Sequence, residues 1–269
     1  MSFFDQYPEF LPDKSGDLTN ISYTRENALK RYSTWISNDE VKGLSFLDIG
    51  CQFAAVGAYV LHYGAAEYVG IDNKAKEALV AEENLRKYFK QKQWNIYRTS
   101  IEDFIGNNKK TFDVVFLGRI LHGLSLNGNS ILSDLSEICN CIIIESANPV
   151  NTAYDTIKAK YNVVDIEIEK YVEYEHSFVE YTDSSIGNFL NVLYSLGFLK
   201  EYFLRLGFEI DYAPYEKIKK IFPEEYGIGY INKKNNPLKK FIIRFNRRYD
   251  KGYISRLDYE FNNNILENL

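Results

Sequence analysis

The chain has 269 residues, enough for one large domain or two small ones, and its 45% hydrophobic and 26% charged residues are ordinary for a soluble globular protein. A net charge of −5 argues against a chain built to coat nucleic acid, no apolar run approaches the ~18 residues of a membrane span, and the N-terminus lacks the basic start and apolar core of a secretory signal. Cys51, Cys139 and Cys141 form no CxxC motif and cannot all be paired, so a reduced, cytoplasmic location is expected.

Residues 1–43 are expected to form a helical cap, followed by one domain over 44–269. From Leu44 to Ser146 strands alternate with helices. "LSFLDIG" is a strand, "AAVGAYVLHYG" a helix, "EYVGID" a second strand, and "KAKEALVAEENLRKYFKQ" an amphipathic helix with Ala75, Leu79, Ala81, Leu85 and Phe89 near helical spacing. "WNIYRTS" is a third strand and "FDVVFLG" a fourth, apolar throughout as a strand buried on both faces should be. "SILSDLSEIC" is a helix and "CIIIES" a fifth strand. The span 147–184 is too long for a simple loop and is expected to be an inserted lid, with strands suggested by "VVDIEIEKYVEYE". The stretch 184–215 reads as one or two helices running into a sixth strand at Phe208–Tyr212, with Gly207 as the helix C-cap, and "KKFIIRFN" as a last strand. This order predicts a Rossmann-like α/β fold, a seven-stranded and mostly parallel sheet with helices on both faces.

Charge is uneven along the chain. Nine basic residues face one acid between Lys233 and Arg256, whereas the run from Asp165 to Asp183 is acidic apart from Lys170. Both runs read first as solvated faces. Their functional versions are phosphate contact by the basic run, and an acceptor lid in which Tyr171, Tyr174 and Tyr181 stack on a sugar or base.

In an open α/β sheet, ligands bind outside the carboxyl ends of the strands. Asp72, ending the second strand, can accept hydrogen bonds from both hydroxyls of a ribose. The turn after the first strand separates the adenosine ligands. A dinucleotide pyrophosphate wants G-x-G-x-x-G, but Gly50 is followed by Cys51, Gln52, Phe53 and Ala54, so the second glycine is missing. Asp48 would repel a pyrophosphate and attract an ammonium group. The turn therefore suits a ligand with adenosine, a positive charge and no phosphates.

On "FLDIGCQF", "EYVGID", "TSIEDF" and "FDVVFLGRILHGL", in that order, the chain resembles the class I S-adenosylmethionine-dependent methyltransferases. The resemblance implies S-adenosyl-L-methionine as cofactor. It puts Asp48 and Gly50 by the methionine portion, with Cys51 and Gln52 in the same turn, and Asp72 on the ribose. Ile71 and Asn73 would flank the adenine or sugar. Ser100 stands where the family often has an adenine-binding Asp, and Ile101 would offer its backbone N–H to the ring. Leu117 and Gly118 would pass under the methionine chain. Ala54 and Ser100 depart from the usual glycine and acid.

Methyl transfer from a sulfonium is an in-line displacement, helped by a base when the acceptor is a hydroxyl or protonated amine. His122, Glu145 and His176 are the catalytic candidates, while His62 is read as structural. Glu145 reads equally as base, metal ligand, acceptor contact or capping carboxylate. Without a partner acid, no metal is expected. Arg119 would pair with an acidic substrate group or cross the cofactor mouth. The expected acceptor is a small molecule or a glycan such as a polysaccharide sugar. The alternatives are a tRNA wobble-uridine modifier, favoured by the basic run, and a non-catalytic cofactor-binding partner protein.

Overall fold

The computed structural model describes residues 3–11, 24–108, 110–121, 124, 128–147, 178–183, 189–194, 196–223, 225–226 and 240–248. Helices α1 (Phe3–Gln6), α2 (Arg25–Trp35) and α3 (Asn38–Val41) precede the first strand. Then β1 (Ser45–Ile49), α4 (Ala55–His62), β2 (Glu67–Ile71), α5 (Ala75–Tyr88), β3 (Trp94–Tyr97), α6 (Ile101–Asn107), β4 (Phe112–Gly118), α7 (Gly128–Glu137) and β5 (Cys139–Ala147) alternate. The remainder is β6 (Phe178–Asp183), β7 (Phe189–Tyr194), α8 (Leu196–Arg205), β8 (Phe208–Asp211), α9 (Ala213–Ile221) and β9 (Lys240–Arg247).

Seven strands form one sheet in the order β3-β2-β1-β4-β5-β9-β8. The first five are parallel, and β9 runs antiparallel to both β5 and β8. The chain steps outward from β1 to β3 and then returns to place β4 on the other side of β1. That reversal, at the carboxyl ends of β1 and β4, is the switch point at which open α/β sheets bind their ligands.

Alternation along each strand sorts the core into two layers. Phe46, Val114, Phe116, Ile143 and Ile242 point to one face, where Trp35 of α2, Ala58 of α4, Leu85 of α5 and Ile218 of α9 cover them. Leu47, Ile49, Val115, Leu117, Ile142 and Ile144 point to the other face, under Phe104 of α6, Leu132 of α7 and Phe203 of α8. Trp35 stacks on Phe116 with ring centroids 4.4 Å apart. This contact ties α2 to the middle of the sheet beyond the gain from area alone, by about 0.5–1.5 kcal/mol. The N-terminal segment is fastened to the same side by aromatic edges. Phe3 meets His62 at 4.7 Å and Tyr7 meets Tyr88 at 4.9 Å, while Glu9 pairs with Lys87 and accepts from the Tyr88 hydroxyl.

Three details differ from the sequence expectation. The residues of β7 were expected to be helical, but they pair antiparallel with β6, from Phe178↔Tyr194 to Asp183↔Phe189, as a separate two-stranded sheet. "FLNVLY" carries β-branched and aromatic residues that a paired neighbour turns into strand, whereas an apolar run by itself does not separate the two states. The buried side of α5 is Ala78, Ala81, Asn84 and Leu85, while Leu79 is 41% exposed, so the apolar stripe is rotated from the expected one. Helix α9 between the last two sheet strands was not anticipated. "VVDIEIEKYVEYE" lies outside the described residues.

Gly50 closes β1 at φ +73, and a Cβ there would sit 2.6 Å from Ile120 Cγ2. Left-handed backbone costs an L-residue about 1–2 kcal/mol, and the overlap adds overpacking of about 1–3 kcal/mol. Gly50→Ala is therefore expected to lose about 2–4 kcal/mol in urea denaturation. A loss below about 0.5 kcal/mol would show that the turn relaxes freely.

Candidate functional site

The turn after β1 is built by β2. The N–H groups of Gly50 and Cys51 both donate to the Ile71 carbonyl, at 2.8 and 3.0 Å. Asp72, next in sequence, completes the closure. Its Oδ2 accepts from Gln52 N and its Oδ1 from Lys74 N, each at 2.9 Å. An ionised carboxylate has about four acceptor positions, so each oxygen retains capacity for a further donor. Gln52 and Ala54 hold φ values of 47° and 61°, the left-handed region that glycine enters freely. Both positions take a glycine-like backbone conformation without being glycine. Ala54 has no exposed surface and packs within the core layer around α4.

Asp48 is 3% exposed on the face of β1 that looks toward α2 and α4. Its Oδ2 accepts the Tyr68 hydroxyl at 2.8 Å. Burial pushes its carboxyl up to about 7, against the hydrogen bond from Tyr68, with the Asp72 charge adding to the rise. Among the described residues no basic side chain pairs with it. Cys51 is buried beside the two acids, and burial raises its thiol well above the ordinary range. Its side chain is packing material, which leaves its backbone as the part that can face a ligand.

The other strand ends converge here. Asp48 lies opposite Gly70 on β2 and Phe116 on β4, and Ile49 lies opposite Leu117, which is fully buried. Gly118 ends β4, where a Cβ would fall 2.5 Å from the Phe116 ring. Arg119 follows at φ 60°, and its N–H donates to the Glu145 carbonyl at 2.7 Å. Ile71 is buried and Asn73 exposed at the end of β2. Ser100 is the N-cap of α6, its hydroxyl accepting from Asp103 N at 3.0 Å and donating to Asp103 Oδ2 at 2.8 Å. Ile101 opens that helix, in the first turn whose N–H groups have no intrahelical acceptor.

Glu145 has a different environment from any the sequence suggested. It is fully buried and accepts from Arg31 Nη2 at 2.7 Å and from the Tyr226 hydroxyl at 2.8 Å. Arg31 is itself stacked over Trp35, its guanidinium carbon 4.7 Å from the ring centroid. Instead of standing open as a base, metal ligand or acceptor contact, the carboxylate fastens the N-terminal helix α2 and the Tyr226 segment to the end of β5. Pairs separated by 114 residues leave no local signal in the sequence. Among the described residues no group of three or more His, Cys, Asp and Glu side chains gathers as a metal site. His122 and His176 lie outside the described residues, as do Tyr171 and Tyr174.

Two tests follow from the buried acids. Folding favours neutral Asp48, so its contribution to stability is complete below about pH 4 and is lost as pH rises through about 7. Asp48→Asn is expected to be stabilising by an amount that grows across that range, up to about 4 kcal/mol. Chemical denaturation at several pH values checks this, and a gain independent of pH would contradict it. Arg31→Met strands a buried carboxylate and is expected to cost about 3–5 kcal/mol, whereas adding Glu145→Leu restores most of it. Additive losses in the double variant would show that the pair is not coupled.

The sequence matches no family model and no curated protein. Solved structures do match. Magnesium protoporphyrin IX methyltransferase from Synechocystis, with bound SAM, superposes with a TM-score of 0.54 at 12% identity over 91% of each chain. A putative S-adenosylmethionine-dependent methyltransferase from Listeria monocytogenes gives 0.54 at 16% identity, covering 81% of this chain and 97% of that one. At these identities the likeness is one of fold, and the seven-stranded sheet is that of S-adenosylmethionine-dependent methyltransferases.

Proposed function

We propose that the chain is an S-adenosylmethionine-dependent methyltransferase acting on a small molecule or a glycan. The observation that carries this reading is Asp48, a buried carboxylate on the central strand β1 that, among the described residues, has a neutral hydroxyl partner and no cation. The ammonium group of an amino-acid ligand would supply the missing charge. Asp72, already shaped by two backbone donors, would take the ribose hydroxyls. The fit is chemical as well as topological: an acid inside the turn suits a cationic ligand and disfavours a pyrophosphate.

The cofactor supplies a methyl group activated on a sulfonium. This chain's residues bind and orient it. Gly50 lets the β1 turn meet the chain after β4, where Ile120 lies against it. Leu117 and Gly118 would pass beneath the methionine portion. Ile71, Asn73, Ser100 and Ile101 would border the nucleoside, and the backbones of Cys51 and Gln52 the turn. In-line placement of donor and acceptor would carry much of the rate. For a base, His122 stays the candidate by its place just after β4, with His176 second.

A small-molecule or glycan acceptor is favoured over RNA by what the basic run does. Arg244 pairs with Asp211 at 2.6 Å and Glu40 at 3.0 Å, and Arg247 donates to the Cys139 and Ser136 carbonyls. These two cations are spent inside the protein, which weakens the case for a phosphate-binding strip.

Calorimetry with S-adenosylhomocysteine tests the reading. Asp72→Ala removes hydrogen bonds to a charged acceptor and is expected to weaken binding at least about a hundredfold. Unchanged affinity would put the ribose elsewhere. No heat from the wild-type protein would overturn the cofactor assignment.

A further inference from the structure

We propose that Tyr68 is a positioning residue whose hydroxyl orients the Asp48 carboxylate and sets the pH range over which that carboxylate can receive a cationic ligand group. The inference rests on the cofactor reading above and extends it to Tyr68, a residue within "EYVGID" to which the resemblance gives no role.

Tyr68 has no exposed surface, and its register places it opposite Phe46, two residues before Asp48 and on the same face of the sheet. The ring must therefore lean along the strand to bring its hydroxyl 2.8 Å from Asp48 Oδ2. Two glycines clear the way. A Cβ on Gly57 of α4 would stand 2.5 Å from the Tyr68 ring, and one on Gly70 of β2 would stand 3.0 Å from its hydroxyl and 2.9 Å from Cys51 Sγ. Helix α4 and strand β2 each give up side-chain volume to this one ring. A buried apolar core position would be filled as well by Phe, so the hydroxyl and its partner are what distinguish the residue.

The groups facing Asp48 show what the hydroxyl does. From β2 come Tyr68 and Asp72, from the β1 turn Cys51, from α2 Tyr32, and from β4 the apolar Phe116. Arg31, beside Tyr32 on α2, is taken by Glu145. Among the described residues, the titratable groups facing Asp48 are thus neutral or acidic, the nearby Arg31 cation being paired with Glu145. An Arg or Lys at position 68 would ionise Asp48 but also satisfy it, and would compete with an incoming ammonium group. An apolar residue would leave the acid desolvated, neutral and free to rotate. A phenol lies between these: it favours the ionised form through one hydrogen bond and leaves the negative charge uncompensated.

The test compares wild type, Tyr68→Phe, Asp48→Asn and the double variant by calorimetry with S-adenosylhomocysteine across pH. Wild-type affinity should rise as pH passes through the Asp48 titration and then level off. Tyr68→Phe should bind about tenfold more weakly near about pH 6.5, with the deficit shrinking below about threefold by about pH 8.5. In the Asp48→Asn background, Tyr68→Phe should change affinity less than about twofold at any pH. Without ligand, the Asp48 carboxyl-carbon NMR titration should move to higher pH in Tyr68→Phe. It should move to lower pH when a site-specific fluorotyrosine, a stronger donor, replaces Tyr68 with the fold intact. Parallel affinity curves and an unmoved carboxyl titration would overturn the inference while leaving the cofactor reading standing. A shifted titration in a protein that binds no S-adenosylhomocysteine would support the Tyr68–Asp48 coupling and sink the cofactor assignment alone.

Discussion

The structure depends on the parallel registration of β1 between β2 and β4. Asp48 lies opposite Gly70 on one side and Phe116 on the other, and Ile49 lies opposite Ile71 and Leu117. Because all three strands end at nearly the same level, the turn after β1 must find its hydrogen-bond acceptors on the end of β2. The Ile71 carbonyl and the Asp72 carboxylate provide them. This strand order puts the polar groups gathered there at the switch point where open α/β sheets bind ligands.

Two carboxylates are buried on the same side of the sheet, and the fold treats them in opposite ways. Glu145 receives a guanidinium and a phenol, and in return anchors the N-terminal helix whose Trp35 stacks on the central strand. Removing either partner would expose the other to the full cost of an unpaired buried group. Asp48, among the described residues, receives a phenol and no cation. The lack of an offsetting cation among the described residues is the feature the proposed cationic ligand would answer. The contrast between the two acids supports a cationic ligand more strongly than either sheet topology or the turn sequence does.

The alternation of strands and helices from β1 to β5 was legible because each element has a clear period and each loop is short. The glycine at the end of α8 and the strand after it were legible for the same reason. What the sequence obscured has physical causes. Gln52 and Ala54 look like broken glycine positions, yet both are left-handed despite their side chains, the Gln52 N–H donating to Asp72 and the Ala54 N–H to the Cys51 carbonyl. Glu145 reads as a catalytic candidate because it ends a strand, and only tertiary structure reveals Arg31 and Tyr226 around it. Ser100, expected at the adenine, is the N-cap of α6. Nothing local in "EYVGID" marks the Tyr68 hydroxyl, because its partner Asp48 and the glycines that make room for its ring, Gly57 and Gly70, meet it only in the folded chain. The β6–β7 hairpin was hidden because its second strand is apolar without alternation, which a helix would also satisfy.

The most direct measurement is a crystal structure of the protein grown with S-adenosylhomocysteine. The ligand's ammonium group should lie within hydrogen-bond distance of Asp48, its ribose hydroxyls on Asp72, and its sulfur facing the chain that follows β4. Density for the ligand away from the β1 turn, or an intact Asp48–Tyr68 pair with no ligand at saturating concentration, would contradict that assignment.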